Sequence, residues 1–384
     1  MKIGIDIRVI GKNRTGDEAY FFNLVKNLAA IDKENEYHLY IDRDPKEDDK
    51  LSSRIKELEL GYNFRIEIMP AGKFWWNFYV LSAHLRKSPV DVFHTQYITP
   101  FWMPKNIKLI TTIHDISFNF FPQYIKKSDL FFLKAFIPRS VKKANKVIAV
   151  SKFSREEIIN FYKISPDKTT SVYNGVDYEK FNREFSEEKK EEVRKKYDLP
   201  EKFILYVGTL QPRKNIPALI EAFSALQKKY SMENVKLVVA GSRSAHNTDP
   251  GISKLIDKCN LESEIIFPGW IEEKDLPVIY KLAWCFAFPS LYEGFGIPII
   301  EAMAAGIPVV SSNKASLQEV GGDGALFVNP EDKDKFAESL YRVITDDKLR
   351  LELIKKGEAV ARKFSWRETA ERTLKVYKSV VSKT

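Results

Sequence analysis

The stretch SLYEGFGIPIIEAMAAGIPVV, residues 290–310, decides how the chain folds around it. Pro298 suits the opening of a helix and Gly306 the position just past its end, so a short helix is predicted over 298–305. Pro308 opens an apolar strand beyond it, and Cys285 to Phe288 reads as another before it. Strand, glycine-bearing loop, helix and next strand is the unit of a parallel sheet covered by helices. Glu301 then falls in the first turn of the helix and Glu293 in the loop leading into it, so both carboxylates are expected beside one helix N-terminus. Free N–H groups and partial positive charge at such an end suit the diphosphate of a nucleotide. A carboxylate accepts two hydroxyl protons at once, which suits the vicinal diol of ribose or of another sugar. Gly294 and Gly296 let the backbone approach a ligand where a side chain would collide. Taken alone, the same residues also serve as helix-dipole decoration and simple turn glycines.

Outward from this stretch, short β-rich apolar runs alternate with helical patterns along the whole chain. Strands are predicted at 2–7, 37–41, 64–68, 90–93, 108–113, 146–150 and 170–173, and again at 203–207, 236–240, 265–267, 285–288, 308–311 and 325–328. The pattern restarts after the Asn174-Gly175 turn signal and a charged helix at 187–197. The class is α/β, with two Rossmann-like domains, 1–180 and 181–365, whose strand C-terminal ends face a cleft where open sheets bind ligands. Ser154 with Glu157 reads as a capping box that starts a helix.

A chain of 384 residues suits two cores rather than one. Only Cys259 and Cys285 occur, which excludes a disulfide framework and a Cys-based zinc site and fits the cytoplasm. The N-terminal run carries Asp6 and Arg8, unlike a signal peptide, and no apolar run approaches the roughly 20 residues of a membrane span. The net charge is +9, and residues 1–180 hold 29 basic against 22 acidic residues. Most of that excess lies between Lys105 and Lys152, where ten basic residues face only Asp115 and Asp129. No nucleic-acid recognition motif accompanies it, so no nucleic acid is expected.

Residues 293–310 resemble the E-G-F-G-x-P-x-x-E-A-M-A-x-G-x-P-V-V signature of the retaining GT-B glycosyltransferases of family 4, and the likeness extends over nearly the whole chain. The resemblance implies that Glu293 holds hydroxyls of a donor sugar and Glu301 the ribose, with amides of Gly294, Phe295 and Gly296 meeting sugar and diphosphate. It gives Arg213 and Lys214, in the GTLQPRKN segment that begins at Gly208, the role of neutralising a departing nucleotide diphosphate; an ordinary solvated pair is the plain alternative. Backbone near Phe267, Pro268 and Gly269 would meet the base. No cofactor is implied beyond the nucleotide-sugar co-substrate, GDP-mannose first and a UDP-sugar next.

His114-Asp115 ends the strand 108–113 and resembles the family's H-D pair, which places His114 beside the donor sugar. His94, also at a strand end, is a further cleft candidate, while His38, His84 and His246 are read as structural. Relatives carry T-G-x-G-R-Y after the first strand. Here Gly16 is kept for the donor phosphates, but Glu18 and Ala19 replace the second Gly and the Arg, so Asp17 and Glu18 are read as the N-terminal turn of a helix at 17–30. Asp42-Arg43-Asp44, the candidate for a metal-dependent Asp-x-Asp, precedes Pro45 in a charge-rich stretch and reads as a solvated loop, so no metal is expected.

Between Phe118 and Lys146, seven aromatics stand among the densest basic charge, and a second aromatic run spans Phe74 to Tyr79. This suits an anionic membrane surface, a peripheral location and a lipid-linked acceptor; aromatic core on a helix's inner face is the alternative. The final helix, from Trp366 to about 384, is expected to pack back on the first domain, as in relatives. A sugar transfer to a glycan or lipid-linked acceptor follows from the resemblance. A catalytically silent nucleotide-sugar-binding or interaction protein of the same fold stays open because of Asp17-Glu18.

Overall fold

The computed structural model describes residues 1–12, 15–72, 75–243 and 247–382. His246 and Phe74 therefore lie outside the described residues. The chain forms two compact units, one of residues 1–120, 126–175 and 366–384, the other of 121–125 and 176–365.

Unit 1 is built on a seven-stranded parallel sheet of β1 (Lys2–Asp6), β2 (Glu36–Ile41), β3 (Phe64–Ile68), β4 (Val92–Gln96), β5 (Lys108–Ile113), β6 (Lys146–Ala149) and β7 (Thr169–Ser171), in the order β3-β2-β1-β4-β5-β6-β7. These strands read as apolar runs because helices cover both faces. Ile3, Ile5, Leu39, Val92, Phe93, Ile110, Val147 and Ile148 are sealed from solvent, and such side chains contribute about 1.5–3 kcal/mol each on burial. The order reverses between β1 and β4, which makes their C-terminal ends a topological switch point.

The helix Gly16–Ile31 begins where its cap dictates, with Thr15 Oγ1 accepting from the Glu18 amide at 3.4 Å. The helix Lys152–Tyr162 begins three residues earlier than the Ser154 capping box predicts. Ser151 is its cap, accepting from the Ser154 amide at 2.9 Å, and Ser154 is buried inside the first turn. The helix Trp366–Val381 belongs to unit 1 and lies along Gly16–Ile31. Thr369 Oγ1 donates to the Tyr173 carbonyl at 2.7 Å, and Trp366 meets the Tyr20 ring edge-on at 6.4 Å.

Unit 2 has a six-stranded parallel sheet of β8 (Phe203–Val207), β9 (Lys236–Ala240), β10 (Ile265–Ile266), β11 (Cys285–Phe288), β12 (Val309–Ser312) and β13 (Ala325–Val328), in the order β10-β9-β8-β11-β12-β13. Its switch point lies between β8 and β11. Where the chain leaves unit 1 and where it returns, it pairs with itself: Val176 bridges Ser365, and the Val176 amide donates to the Phe364 carbonyl at 3.1 Å. Among the described residues, no helix is long and apolar enough to cross a membrane.

Candidate active site

In unit 2 the chemistry gathers at the switch point. Beyond β8 the chain makes a short 3-10 turn, Pro212–Lys214, before the helix Ile216–Tyr230. Asn215 takes a left-handed conformation, φ 58°, which turns the chain into that helix. Beyond β11 the loop from Pro289 to Gly296 runs alongside, and the Leu291 amide donates to the Arg213 carbonyl at 2.9 Å.

Three charged side chains meet there. Lys214 donates to Glu293 Oε1, while Arg213 Nη1 lies 3.3 Å from Glu293 Oε2 and 3.0 Å from the Tyr292 carbonyl. Lys214 and Glu293 are both buried. Burial alone would raise the Glu293 carboxyl, but the Lys214 ammonium and the Arg213 guanidinium outweigh it and hold the group below its ordinary value. Two cations against one carboxylate leave one positive charge at the end of the sheet, and buried charges persist only when paired in this way.

The loop that carries Glu293 is fixed from behind. Buried Ser316 sits between two of its carbonyls, within 2.9 Å of Glu293 O and 3.0 Å of Phe295 O. Gly296 caps the helix Ile297–Ala304 at φ 101°, and a Cβ there would stand 2.8 Å from Leu317 Cδ2. Only glycine makes this turn without strain.

Glu301 is not in the first turn of that helix, because the helix opens at Ile297 rather than Pro298 and Glu301 is its fifth residue. Helical side chains lean toward the N-terminus, so its carboxylate still reaches back. Tyr280 Oη donates to Glu301 Oε2 at 3.1 Å and stands 3.5 Å from the Pro298 carbonyl. Glu301 and Glu293 therefore do not share a helix end: Glu293 is held by the cations of the β8 loop, Glu301 by a tyrosine. Gly208 directly follows β8, its amide donating to the Ala240 carbonyl at 3.0 Å. Phe267 follows β10, with the Arg243 guanidinium 4.8 Å over its ring, and Gly269 beyond it has φ 76°.

In unit 1, His114 directly follows β5 and is buried. Its Nε2 lies 3.0 Å from Gln96 Oε1 and 3.8 Å from Asp17 Oδ1. Burial lowers its pKa while Asp17 and Asp115 pull the other way, so the ring is neutral at pH 7. Two oxygens beside Nε2 place the proton there and leave Nδ1 as the acceptor. Asp17 thus faces His114, and Glu18 is buried in an ion pair with Arg54 at 3.1 Å; Gly16 is the first residue of their helix. The sequence carried no sign of Gln96, Tyr280 or Ser316, which are set by pairing between distant elements.

His94 is not a cleft residue. It is fully buried beneath the C-terminal helix, with Nδ1 2.6 Å from Tyr377 Oη and Nε2 2.8 Å from Thr112 Oγ1. Both ring nitrogens are consumed inside unit 1, and burial pushes its pKa down to about 3. His38 pairs with Glu67 at 2.9 Å, and His84 packs edge-on against Tyr40. Asp42 pairs with Lys12 and with Arg43, each at 3.4 Å.

Residues 14–180 match the family described as Glycosyltransferase Family 4, and residues 188–360 match Glycosyl transferases group 1. The O-antigen chain mannosyltransferase B of Escherichia coli is 31% identical, covering 98% of this chain and 100% of that protein. The chain belongs to glycosyltransferase family 4. A serotype-specific mannosyltransferase of Escherichia coli is 35% identical over 60% of the chain, which spans 28% of that longer protein. Solved structures share the GT-B fold of this glycosyltransferase: a sucrose-phosphate synthase of Thermosynechococcus elongatus at TM-score 0.78, 21% identity and 100% of both chains, and WaaG of lipopolysaccharide biosynthesis at 0.73, 17% and 98% of this chain and 99% of that one. As a family 4 glycosyltransferase, the enzyme passes a sugar from a nucleotide-sugar donor to a glycan acceptor.

Proposed function

We propose that this glycosyltransferase moves mannose from GDP-mannose to a glycan or lipid-linked glycan acceptor, with retention of the anomeric configuration. The observation that carries it is the likeness to an O-antigen chain mannosyltransferase over nearly the full length of both proteins. The cluster at the unit 2 switch point supports the donor half, since its one surplus positive charge suits a diphosphate.

In this reading unit 2 takes the donor and unit 1 the acceptor. Arg213 and Lys214 stabilise the leaving GDP, Glu293 grips hydroxyls of the transferred sugar, and Glu301 the ribose. The amides of Gly294, Phe295 and Gly296 meet the sugar and diphosphate, with Gly16 and Gly208 near the phosphates and Phe267 and Gly269 near the base. His114 accepts a hydroxyl of the donor sugar through Nδ1. The sugar–diphosphate bond breaks, the bond to the acceptor oxygen forms on the same face, and the acceptor proton passes to the leaving diphosphate oxygen.

Unit 1 also carries a surface suited to an anionic membrane. Phe78 stacks on Phe101 at 3.9 Å, Phe136 meets Phe101 edge-on at 4.9 Å, and Phe132 meets Phe136 at 4.6 Å. This cluster holds its neighbours Tyr79, Trp102 and Phe131 at the surface, 65, 62 and 74% exposed, beside the exposed Lys143. Aromatic rings next to cations favour the headgroup region, which would bring a lipid-linked acceptor to unit 1.

Incubation with GDP-mannose, UDP-glucose and UDP-GlcNAc in the presence of mannoside acceptors tests the donor. Release of GDP with extension of the acceptor is expected. Turnover of a UDP-sugar instead would replace the donor, and no turnover with any of them would favour a binding protein.

A further inference from the structure

The switch point of unit 1 holds a second built cluster. β1 ends at buried Asp6, and Arg8 just beyond it folds back to grip both carboxylate oxygens: Nε to Oδ1 at 2.9 Å and Nη2 to Oδ2 at 2.7 Å. From the end of β4, Thr95 Oγ1 donates to the same Oδ2 at 3.2 Å, and the Arg8 amide reaches Oδ1 at 3.3 Å. The Arg8 guanidinium lies 4.6 Å over the ring of Trp76, with Nη2 3.4 Å from Asn77 Oδ1. Trp76 is fully buried, and its Nε1 has no partner among the described residues.

Two features of the backbone and one side-chain contact mark the same place. Residues 76–80 form a π-helical turn, a rare form enriched at functional sites. Tyr97, just past β4, sits at φ 52°, a left-handed conformation that costs energy in a bulky residue. Gln96, the last residue of β4, holds His114. Open parallel sheets bind ligands at such a crevice, and in unit 2 the equivalent crevice holds Glu293, Lys214 and Arg213.

Arg8 is immobilised between a carboxylate and an indole, yet its side chain is 15% exposed and Nη1 meets no acceptor among the described residues. Asp6 cancels its charge and is itself saturated by four donors. A fixed, charge-compensated donor suits hydroxyl groups better than phosphate, which would need a surplus cation as in unit 2. We propose that Arg8, held by Asp6 and Trp76, is the residue that receives neutral hydroxyls of the acceptor glycan at the switch point of unit 1. This rests on the glycosyltransferase reading of unit 2 only in calling the bound glycan the acceptor. Arg8 touches the ligand, and Asp6 is a positioning residue.

Saturation-transfer NMR with mannobiose as the neutral probe and mannose 1-phosphate as the anionic one tests this. The wild-type enzyme should show transfer to mannobiose. Arg8→Lys keeps a cation on Asp6 but loses the planar fork, and should weaken binding roughly tenfold, the scale of one lost hydrogen bond in a desolvated site. In turnover assays the same variant should raise the acceptor KM and leave kcat and the nucleotide-induced thermal shift unchanged. If Arg8→Lys does not fold, the double variant Asp6→Asn with Arg8→Gln removes both charges together and should show the same loss. No transfer to mannobiose in the wild type, unaltered binding in both variants, or binding of mannose 1-phosphate alone would each overturn the proposal. A wild type that binds mannobiose through Arg8 but shows no thermal shift with any nucleotide would keep it and sink the donor assignment instead.

Discussion

Arg213 and Glu293, eighty residues apart, are joined at 3.3 Å across the unit 2 switch point, and the carbonyl of the same arginine accepts from Leu291. The loop after β8 and the loop after β11 are therefore one electrostatic piece, closed on its buried side by Lys214. Removing any member of it changes both charge and shape.

Lys214→Ala should lower kcat by about 10²–10³-fold, the cost of losing one preorganised charge aimed at a leaving group. It also leaves Glu293 buried with a single cationic partner, so stability should fall by about 3 kcal/mol. Nucleotide release and thermal denaturation read the two effects separately; full activity in both Lys214→Ala and Glu293→Ala would refute the site.

Acid should destabilise unit 1 through His94. The folded ring has its pKa at about 3 and an unfolded histidine near 6.5, so below the latter the unfolded chain binds a proton that the folded one refuses. Stability is fully present above pH 6.5 and falls as pH drops toward 3, by on the order of 1.4 kcal/mol per unit within that window. His94→Gln should flatten this slope in urea titrations between pH 4 and pH 7.

Tyr377→Phe removes one hydroxyl and leaves His94 Nδ1 without a partner in a sealed interior. The expected loss is about 1–3 kcal/mol in chemical denaturation, the penalty of a stranded buried polar atom. Because the contact belongs to unit 1 and Arg213 and Glu293 to unit 2, the nucleotide-induced thermal shift should be retained.

Gly296→Ala should cost more than about 1 kcal/mol, since its φ of 101° and the 2.8 Å approach to Leu317 both oppose a Cβ. The distortion falls on the loop of Phe295 and Glu293, so nucleotide binding should weaken along with melting temperature.

Flotation with anionic liposomes at low salt should carry the wild-type enzyme upward, and neutral liposomes should not. Replacing Trp102 and Phe131 together by Ser should abolish flotation with little change in stability, because both rings are already exposed.

The strands among the described residues were legible because most are apolar runs buried between helices, and that pattern is local; β3 and β7, at the edges of their sheet, are polar exceptions. Glu293, Arg213 and Lys214 were legible for a related reason: each lies just past a strand end. What escaped was set by distance or by a single turn. His94 was read as a strand end, but β4 runs on to Gln96, so it lies inside the strand, where Tyr377 meets it from 283 residues away. Ser151 caps the helix in place of Ser154 because β6 ends at Ala149 and leaves Ser151 just ahead of the first turn, and Glu301 shifts out of the first turn because Gly296, not Pro298, sets the helix start. Asp6 and Arg8 stood in plain view at the end of β1, but nothing in their spacing reveals Trp76 and Thr95 closing around them.

The helix Trp366–Val381 has a consequence for the order in which the protein is made. Residues that complete the core of unit 1 leave the ribosome only after all of unit 2 has been synthesised, reversing the usual N-terminal-first sequence of domain folding. Until then the face of Gly16–Ile31 that packs against this helix, Tyr20 among it, waits uncovered on the nascent chain.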